Sequence, residues 1–335
     1  MASHTAPPFM PTDARIYVQG HRGLVGSAIV RRLESLGYRN LLLRARAELD
    51  LLDARAVAAF FAEQKPEFVF VCAAKVGGIM ANNTFPAEFF YENVAIETAI
   101  MHEAWRNGVR RLLFLGSSCI YPRDCPQPIR EEYLMTGPLE PTNRAYAIAK
   151  IAGIEMCRAY NQQYGTRYLA AMPTNLYGQG DNYDVQTSHV LPALIRKMHE
   201  AKIRGDASVT LWGTGRPYRE FLYSDDLADA CVFLLNLDDE RFEMLLGDGS
   251  ANPLINVGCG EDLTIAGLAE LVKEVVGFNG TIVWDAAKPD GTPRKLLDVS
   301  KLNALGWRPS VSLREGITRA YRQFLEYVES TSELR

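Results

Sequence analysis

The sequence predicts an α/β protein built on a doubly wound parallel sheet, with a smaller C-terminal domain for substrate. Short apolar runs alternate with amphipathic segments through the first half of the chain, and turn residues become denser after Pro173. Such alternation is typical of βαβ units, whose helices cover both faces of a parallel sheet. The length of 335 residues allows one large domain or two modest ones.

The first half reads as five strands with helices between them. Gly37 is placed to end the first helix, Asp53 to cap the second and Pro86 to begin the third. A proline-rich loop, 122–141, leads to the fourth helix. The predicted strands are 15–19, 41–43, 68–73, 111–115 and 168–172, and the predicted helices are 24–36, 54–64, 86–107 and 143–164.

The second half predicts further helices over 188–201, 225–235 and 264–276, with Ser224 as a cap, and strands over 209–212 and 254–257. We expect two domains that interleave along the chain. The division predicted is a flexible tail over 1–13, a larger domain over 14–178 to which 220–258 returns, and a substrate-binding domain over 179–219 and 259–335.

Composition excludes several classes of protein. A net charge of −4 gives no general attraction to nucleic acid or to an anionic membrane. The six cysteines contain no C-x-x-C pair, so we expect neither a metal site nor a disulfide framework, but a reducing, cytoplasmic location. The N-terminus lacks the pattern of a signal peptide, and the most apolar strand-like run, 68–74, is too short to span a bilayer.

A glycine-rich loop follows the first predicted strand and precedes the first helix: Gly20-His21-Arg22-Gly23-Leu24-Val25-Gly26. Glycines there allow a tight turn, close approach of the backbone to a pyrophosphate, and close packing of the helix. The N-terminus of the helix then offers free N–H groups to the anion. The spacing G-x-x-G-x-x-G departs from the commoner G-x-G-x-x-G, but its position predicts a Rossmann-type dinucleotide-binding domain.

The end of the second strand indicates which dinucleotide binds. NAD enzymes usually place an acidic residue there, whereas an arginine accommodates the 2′-phosphate of NADP. This chain has Arg44 and Arg46, and no acid before Glu48. We therefore predict NADPH, with Arg46 as the first phosphate ligand, Arg44 as the second, and Asp50-Leu51 near the adenine; the alternative is that both arginines are solvated surface residues.

Ser117, Tyr146 and Lys150 form a candidate proton-transfer site. Ser117 follows the fourth strand, and Tyr146 and Lys150 are four apart, which places them on one face of a helix. An ammonium beside a phenol favours the phenolate, so we expect Lys150 to lower the pKa of Tyr146. A tyrosine tuned in this way exchanges a proton with an alcohol or ketone near neutral pH.

Cys119 and His189 are candidates for a second proton-transfer centre. A free cysteine is most often a small buried hydrophobe, and a lone histidine is usually a packing or surface residue. Cys119, however, lies two residues beyond Ser117, and in an extended chain alternation places both on the same face. An imidazole such as that of His189 exchanges protons near neutral pH.

The C-terminal half contains basic and aromatic residues suited to a nucleotide diphosphate. Guanidinium groups bind phosphate through two hydrogen bonds, and aromatic rings stack on bases. A mixed-charge surface is the alternative for any one of them. The residues concerned are Lys197, Trp212, Arg219, Tyr223, Arg294 and Lys295.

With these residues in place, the chain resembles the extended short-chain dehydrogenase/reductase family that acts on nucleotide sugars. The resemblance runs from about Arg15 to near Glu326. It rests on the loop 20–23 and on Ala73-Ala74-Lys75-Val76-Gly77-Gly78-Ile79, Gly116-Ser117-Ser118-Cys119-Ile120-Tyr121-Pro122, Glu140-Pro141-Thr142-Asn143, Met172-Pro173-Thr174-Asn175-Leu176-Tyr177-Gly178 and Lys288-Pro289-Asp290-Gly291-Thr292-Pro293-Arg294-Lys295.

The resemblance implies an enzyme that epimerises GDP-4-keto-6-deoxy-mannose at carbons 3 and 5, then reduces its 4-keto group with NADPH to GDP-L-fucose, and acts as a homodimer. It implies that Tyr146, Lys150 and Ser117 serve the reduction, and that Cys119 and His189 serve the inversions. It adds Ala73, Ala74, Pro173, Asn175, Leu176 and His189 to the cofactor contacts. The implied substrate contacts are Ser118, Asn175, Lys197, Trp212, Arg219, Asp290 and Lys295.

Three alternatives stay open from the residues alone. A 4-epimerase of the same superfamily would carry an acid at the end of the second strand, where Arg44-Ala45-Arg46 stands. A 4,6-dehydratase would carry an acidic pair where this chain has Ser118-Cys119. A dinucleotide-sensing regulator without turnover would tolerate damage to the Ser117, Tyr146 and Lys150 set, which is intact.

Overall fold

The computed structural model describes residues 9–72, 75–184, 187–247, 249, 251–288 and 290–332. Its strands are β1 (Ile16–Gln19), β2 (Leu41–Leu42), β3 (Phe68–Val71), β4 (Arg111–Leu115), β5 (Tyr168–Pro173), β6 (Asn175–Tyr177), β7 (Ser208–Trp212), β8 (Tyr218–Arg219), β9 (Phe221–Tyr223), β10 (Leu254–Val257), β11 (Leu263–Thr264), β12 (Thr281–Asp285) and β13 (Arg294–Lys295). Its helices are α1 (Leu24–Ser35), α2 (Ala54–Gln64), α3 (Ile79–Thr84), α4 (Pro86–Arg106), α5 (Arg144–Tyr164), α6 (Val190–Arg204), α7 (Ser224–Leu235), α8 (Asp239–Leu246), α9 (Ile265–Val276), α10 (Ser300–Ala304) and α11 (Leu313–Ser332).

The main sheet is parallel throughout and confirms the predicted fold class. Its six strands have the order β10-β5-β4-β3-β1-β2. The chain winds in one direction from β1 to β2 and in the other from β3 onward, so the strand order reverses between β1 and β3. Ligands of open α/β sheets bind outside the carboxyl ends of the strands at such a reversal.

Apolar side chains cover both faces of this sheet. One buried cluster joins it to α1, α7 and α8, and a second joins it to α2, α4 and α5. The central strands β1, β3, β4 and β5 are buried along their whole length, as expected where helices cover both faces. A third cluster joins α6, α9 and α11 to β7 and β9, and β7 pairs with β12 in a separate two-stranded sheet.

Local signals predicted several element ends correctly. The Asp53 carboxylate accepts hydrogen bonds from the backbone N–H groups of Arg55 and Ala56, at 2.9 and 3.1 Å, at the start of α2. Pro86 is the first residue of α4, where its missing N–H costs nothing. Gly37 follows α1 with a φ of +86°, a conformation that favours glycine.

Two local predictions were wrong. Ser224 is the first residue of α7 rather than its cap, and its hydroxyl has no hydrogen-bond partner among the described residues. The last part of the predicted flexible tail is packed: Met10 is fully buried, and its backbone N–H donates to Asn236 Oδ1 at 2.9 Å. Phe9 lies against the guanidinium of Arg111, 3.4 Å from the ring centre. These partners come from distant parts of the chain, which a local composition signal does not report.

Within the described ranges, no helix combines the length and the apolar character that a membrane span needs. The six cysteines are free thiols. The same ranges hold no group of three or more His, Cys, Asp or Glu residues placed to bind a metal ion.

Candidate active site

The glycine-rich loop connects β1 to α1 at the carboxyl edge of the sheet. Gly20 has a φ of +77°, and its carbonyl accepts a hydrogen bond from the Gly23 N–H at 3.0 Å, which closes the turn. Gly23 is the N-cap of α1 and has no side chain to cap it. The first N–H groups of α1 are therefore available to an anion.

Gly26 provides the clearest test of whether this loop fits a dinucleotide. A Cβ at Gly26 would lie 2.2 Å from the Gly20 carbonyl oxygen, so only glycine allows α1 to pack this closely on the loop. His21 Nδ1 is buried without a hydrogen-bond partner among the described residues. Burial lowers the pKa of His21, and Arg22 lowers it further. The loop thus presents a close backbone cradle with uncommitted polar groups, as a pyrophosphate requires.

The two arginines that follow β2, Arg44 and Arg46, differ in their contacts with the rest of the protein. Arg44 donates to the Leu43 carbonyl at 2.9 Å and lies over the ring of Phe60. Arg46 is exposed and makes no hydrogen bond or ion pair with the described residues. Glu48 accepts a hydrogen bond from the Ala45 N–H at 2.7 Å, so the nearby acid closes the turn. Of the two arginines, Arg46 is the one free to take a phosphate.

The remaining predicted cofactor residues lie at nearby strand and helix ends. Asp50 is exposed, and Leu51 packs against the cluster that contains α2. Pro173 ends β5, and Leu176 lies in β6. Ala73 and Ala74 lie outside the described residues. Leu24 and Val25 form the first turn of α1.

Ser117 and Cys119 follow β4 in a geometry that differs from the prediction. The chain is extended at Ser117, but Ser118–Ile120 then forms a 3₁₀ turn. The Ser117 hydroxyl accepts a hydrogen bond from the Cys119 N–H at 3.5 Å and so caps that turn. Simple strand alternation is therefore the wrong reason for placing Cys119 beside Ser117; the turn brings them together instead.

Lys150 lies in α5 and is almost completely buried. Its ammonium donates to Glu97 Oε1 of α4 at 2.9 Å and to the carbonyl of Leu115 at 3.0 Å. The nitrogen lies 4.7 Å from the ring centre of Phe114 and 5.9 Å from that of Tyr146. The lysine is thus fixed between two helices and the end of β4.

The pKa of Tyr146 is well above its ordinary value, which contradicts the expected lowering by Lys150. Burial is the largest cause, and the Cys119 and Glu97 groups add to it, whereas hydrogen bonding with Ser117 lowers the pKa. The negative charge of Glu97 offsets the positive charge of Lys150. The phenol is therefore protonated in this state.

Cys119 is buried, and burial raises the pKa of its thiol. The Lys295 ammonium is the largest opposing influence, followed by the hydrogen bond with Ser117 and the charge of Lys150. Ser118, Cys119 and Lys295 line one small cavity. Among the described residues, Lys295 is the cation that most favours a thiolate at this site.

His189 is the residue directly before α6. Its side chain is exposed, yet the surrounding protein removes enough hydration to lower its pKa. The structure shows no hydrogen bond between His189 and Cys119 in the part of the chain that it describes. The predicted pairing of these two residues stays a prediction.

Several predicted substrate residues lie close together in the C-terminal half. Arg219 of β8 is the register partner of Lys295 in the parallel strand β13. Asp290 accepts hydrogen bonds from the N–H and the hydroxyl of Thr214, both at 2.7 Å, and these bonds hold its pKa low. Burial lowers the pKa of Arg219, and Asp290 opposes that effect. Basic groups and a carboxylate thus face one another across this strand pair.

Trp212 extends this region with an exposed aromatic face. Its ring is 57% exposed and lies within cation–π distance of Lys197, at 5.3 Å, and of Lys288, at 5.4 Å. Burial lowers the pKa of Lys197. Arg294, by contrast, forms an ion pair with Asp262. Trp212 and Lys197 can therefore hold a flat base and a phosphate, whereas Arg294 is already occupied.

Sequence reasoning missed two buried acids that position the site. Glu97 pairs with Lys150, as described above. Glu220 is fully buried and accepts hydrogen bonds from the N–H groups of Gly260 and Leu297, at 2.7 and 3.0 Å. Asn175 donates to the Glu220 backbone carbonyl at 2.8 Å. A signal for Glu97 existed: it falls on the buried stripe of α4, where a charged residue needs a partner.

Comparison with known proteins shows that the chain is similar to enzymes that act on nucleotide sugars. A model of the "NAD dependent epimerase/dehydratase family" matches residues 16–246. The chain is 56% identical to GDP-L-fucose synthase 1 of Arabidopsis thaliana, over 94% of each protein. It is 53% identical to the GDP-L-fucose synthase of Escherichia coli K12, over 93% of the chain and 97% of that protein. A GDP-mannoheptose C4 reductase from Campylobacter jejuni with NADP bound is 40% identical, with a TM-score of 0.85 over 94% of this chain and 99% of that one.

The close packing of Gly26 on the loop predicts that alanine substitutions at two nearby glycines differ in their effect on stability. We expect Gly26→Ala to weaken NADPH binding at least about tenfold and to lower thermal stability, because its Cβ would meet backbone 2.2 Å away. Gly23→Ala is the matched control for stability, since its Cβ would lie at an ordinary 3.4 Å from the Gly20 carbonyl oxygen. Thermal unfolding of the cofactor-free protein and titration with NADPH provide the measurements. Equal stability of the two variants would show that the cradle is less tight than described.

Proposed function

The chain belongs to the NAD dependent epimerase/dehydratase family, and from this premise we propose that it converts GDP-4-keto-6-deoxy-D-mannose into GDP-L-fucose. It epimerises the sugar at carbons 3 and 5 and reduces the 4-keto group with NADPH. One structural observation supports this dual chemistry above all: the Ser117 hydroxyl lies beside both the Tyr146 phenol and the Cys119 thiol, and it lowers the pKa of each. A pocket with two separate proton-handling groups suits an epimerase that is also a reductase.

NADPH is the cofactor, and when bound it supplies the hydride that reduces the 4-keto carbon. We assign its pyrophosphate to the loop 20–26. We assign its 2′-phosphate to Arg46 as the first ligand and Arg44 as the second. The other assigned contacts lie along the carboxyl edge of the sheet. They are Asp50, Leu51, Ala73, Ala74, Tyr146, Lys150, Pro173, Asn175, Leu176 and His189.

In the reduction, Tyr146 holds the proton that the carbonyl oxygen receives. Its raised pKa keeps the phenol protonated, so the group is ready to donate. Ser117 lies within hydrogen-bonding reach of that phenol and orients it. Lys150 provides a fixed positive charge close to the ring, which stabilises the phenolate that remains after proton transfer.

In the epimerisation, Cys119 and His189 move protons at carbons 3 and 5. The 4-keto group makes the neighbouring C–H bonds acidic, so moderate acids and bases suffice to exchange those protons. Lys295 stabilises the charged form of the Cys119 thiol. The two inversions therefore precede the reduction, which removes the ketone on which they depend.

The GDP-sugar is assigned to the basic groups around β8 and β13. Arg219 and Lys295, paired across these strands, suit the diphosphate. Trp212 offers a ring face to the base, and Lys197 provides a point charge without the fork of an arginine. Ser118, Asn175 and Asp290 complete the proposed contacts.

Two substitutions separate the epimerase from the reductase, and the wild-type reaction tests the proposal itself. We expect the wild-type protein to yield GDP-L-fucose from the keto sugar and NADPH. Cys119→Ala should reduce deuterium uptake from heavy water at carbons 3 and 5 by about 100-fold while NADPH still binds. Tyr146→Phe should lose NADPH oxidation by a similar factor and retain most of the deuterium uptake.

The contrary outcomes are distinct. No product from the wild-type protein would remove the proposed function. Normal deuterium uptake by Cys119→Ala would remove the thiol from the epimerisation, and full NADPH oxidation by Tyr146→Phe would remove the phenol from the reduction.

Arg46 is expected to set the choice of cofactor. Arg46→Ala should weaken NADPH binding by about tenfold or more, because it removes a charged hydrogen bond to the 2′-phosphate. It should leave NADH binding nearly unchanged, since NADH lacks that phosphate. Arg39→Ala is the control. Arg39 is exposed and precedes the amino end of β2, whereas Arg46 follows its carboxyl end. Isothermal titration with both cofactors tests the assignment, which fails if both affinities fall equally.

We also propose that the protein is a homodimer, as its family resemblance implies. Phe90 and Tyr91 of α4 and Ile148 of α5 are exposed apolar side chains, at 42%, 66% and 36%. Such residues on adjacent packed helices suit a subunit interface. Light scattering should give twice the chain mass, and Tyr91→Asp should reduce it. Met244→Asp, at the 66% exposed Met244 of α8, should leave the mass unchanged.

A further inference from the structure

A buried ion pair joins the two helices beside the proposed reduction site. Glu97 of α4 and Lys150 of α5 have side chains that are 1% and 3% exposed, with 2.9 Å between Glu97 Oε1 and the lysine nitrogen. This distance is typical of a charge-assisted hydrogen bond. Burial raises the pKa of Glu97, whereas the charge of Lys150 and this hydrogen bond oppose the rise. At this depth neither group is exposed to bulk solvent.

The contacts around the Lys150 ammonium fix it in one position. Two N–H groups of the ammonium are used by Glu97 and by the Leu115 carbonyl. Phe114 closes the space on one side, with its ring centre 4.7 Å from the nitrogen. The third N–H has no partner among the described residues and is left for the site.

The protein also makes room for the carboxylate. Gly153 of α5 faces Glu97, and a Cβ there would lie 2.9 Å from Glu97 Oε2 and 2.5 Å from the Phe114 ring. Oε2 itself has no hydrogen-bond partner in the described part of the chain. A carboxylate with one free oxygen in a dry space acts strongly on its neighbours, because little solvent screens it.

We propose that Glu97 is a positioning residue of the reduction step: it fixes the Lys150 ammonium beside the Tyr146 ring, and its negative charge adds to burial in favouring the protonated phenol. This inference rests on the proposed function, because it gives Tyr146 the role of proton donor. A lone ammonium here would favour the phenolate before the ketone arrives. The acid on α4 cancels that bias, so the phenol keeps its proton until the carbonyl oxygen takes it.

The charged and titratable groups around the pair are few. Tyr146 faces Ser117 and Cys119 from the turn after β4, Glu97 from α4 and Lys150 from its own helix. Glu97 faces Lys150, Tyr146 and Cys157, all on α5. Lys150 also faces Cys72 from the end of β3. For Cys119, the largest influences after burial are Lys295, Ser117 and Lys150.

The first experiment measures hydride transfer and deuterium uptake against pH. We expect Glu97→Gln to move the alkaline limit of single-turnover NADPH oxidation to lower pH by about one unit, because a negative charge beside the phenol is lost. Deuterium uptake at carbons 3 and 5 should keep its wild-type pH dependence. Glu97→Asp, which retains the charge, should restore the limit while lowering the rate. Glu103→Gln is the control, since buried Glu103 lies on the same helix and pairs with Arg106.

The second experiment needs no turnover. In the cofactor-free protein, the ultraviolet phenolate signal of Tyr146, isolated by subtraction of a Tyr146→Phe variant, should develop at lower pH in Glu97→Gln than in wild type. Thermal unfolding of Glu97→Gln, Lys150→Met and the double variant should show the double variant to be more stable than Lys150→Met, because no unpaired buried charge remains.

The outcomes separate this inference from the proposed function. Absence of GDP-L-fucose from the wild-type reaction counts against the function alone, and the phenolate titration then decides the role of Glu97. An unchanged alkaline limit or unchanged titration in Glu97→Gln overturns the inference while the function stands. If Glu97→Gln does not fold, a limit that shifts in Glu97→Asp overturns it, and a limit that stays with a slower rate supports it.

Discussion

The organisation of this site depends on holding one ammonium group out of water. An unpaired buried charge costs several kcal/mol, on the order of 3–5 when one partner of a pair is removed. Lys150 avoids that cost by bonding to Glu97 and to the last carbonyl of β4. The same strand end leads directly to Ser117 and the turn that contains Cys119. The lysine, serine and cysteine are therefore fixed in one frame, and the α4–α5 contact becomes part of the chemistry.

The charge distribution shows why an acidic chain can bind a cofactor and a substrate that both carry phosphate groups. The net charge is −4, so attraction to phosphate has to be local. Many surface arginines and lysines form ion pairs with neighbouring acids and are not available to phosphate. Examples are Arg294 with Asp262 and Arg31 with Asp225. Arg46 and Lys295 have no such pair among the described residues. Lys295 also neighbours Cys119, so the group proposed for the diphosphate acts on the thiol as well.

Short-range signals predicted much of the fold and part of the site. The Asp53 cap, the Pro86 start and the glycine loop depend on residues within a few positions of one another, and each has the predicted form. Features set by distant partners were missed. The Met10 N–H donates to Asn236, 226 positions away, and the pKa of Tyr146, raised mainly by burial, is raised further by Glu97 of another helix. For Cys119 the predicted neighbour was right and the predicted geometry wrong, because a 3₁₀ turn replaces the extended chain.

The two proton-handling groups start from protonation states that suit their different tasks. Burial raises the pKa of both Tyr146 and Cys119, so phenol and thiol are protonated at rest, whereas reduced hydration lowers the pKa of His189 and leaves the imidazole neutral. Thiol and neutral imidazole together hold one transferable proton and one empty acceptor, the same number as a thiolate with an imidazolium. In the proposed epimerisation, such a pair would remove a proton from one face of the sugar ring and return one to the other without net change. In the proposed reduction the phenol gives up its proton once, to the carbonyl oxygen, so one pocket can serve both reactions.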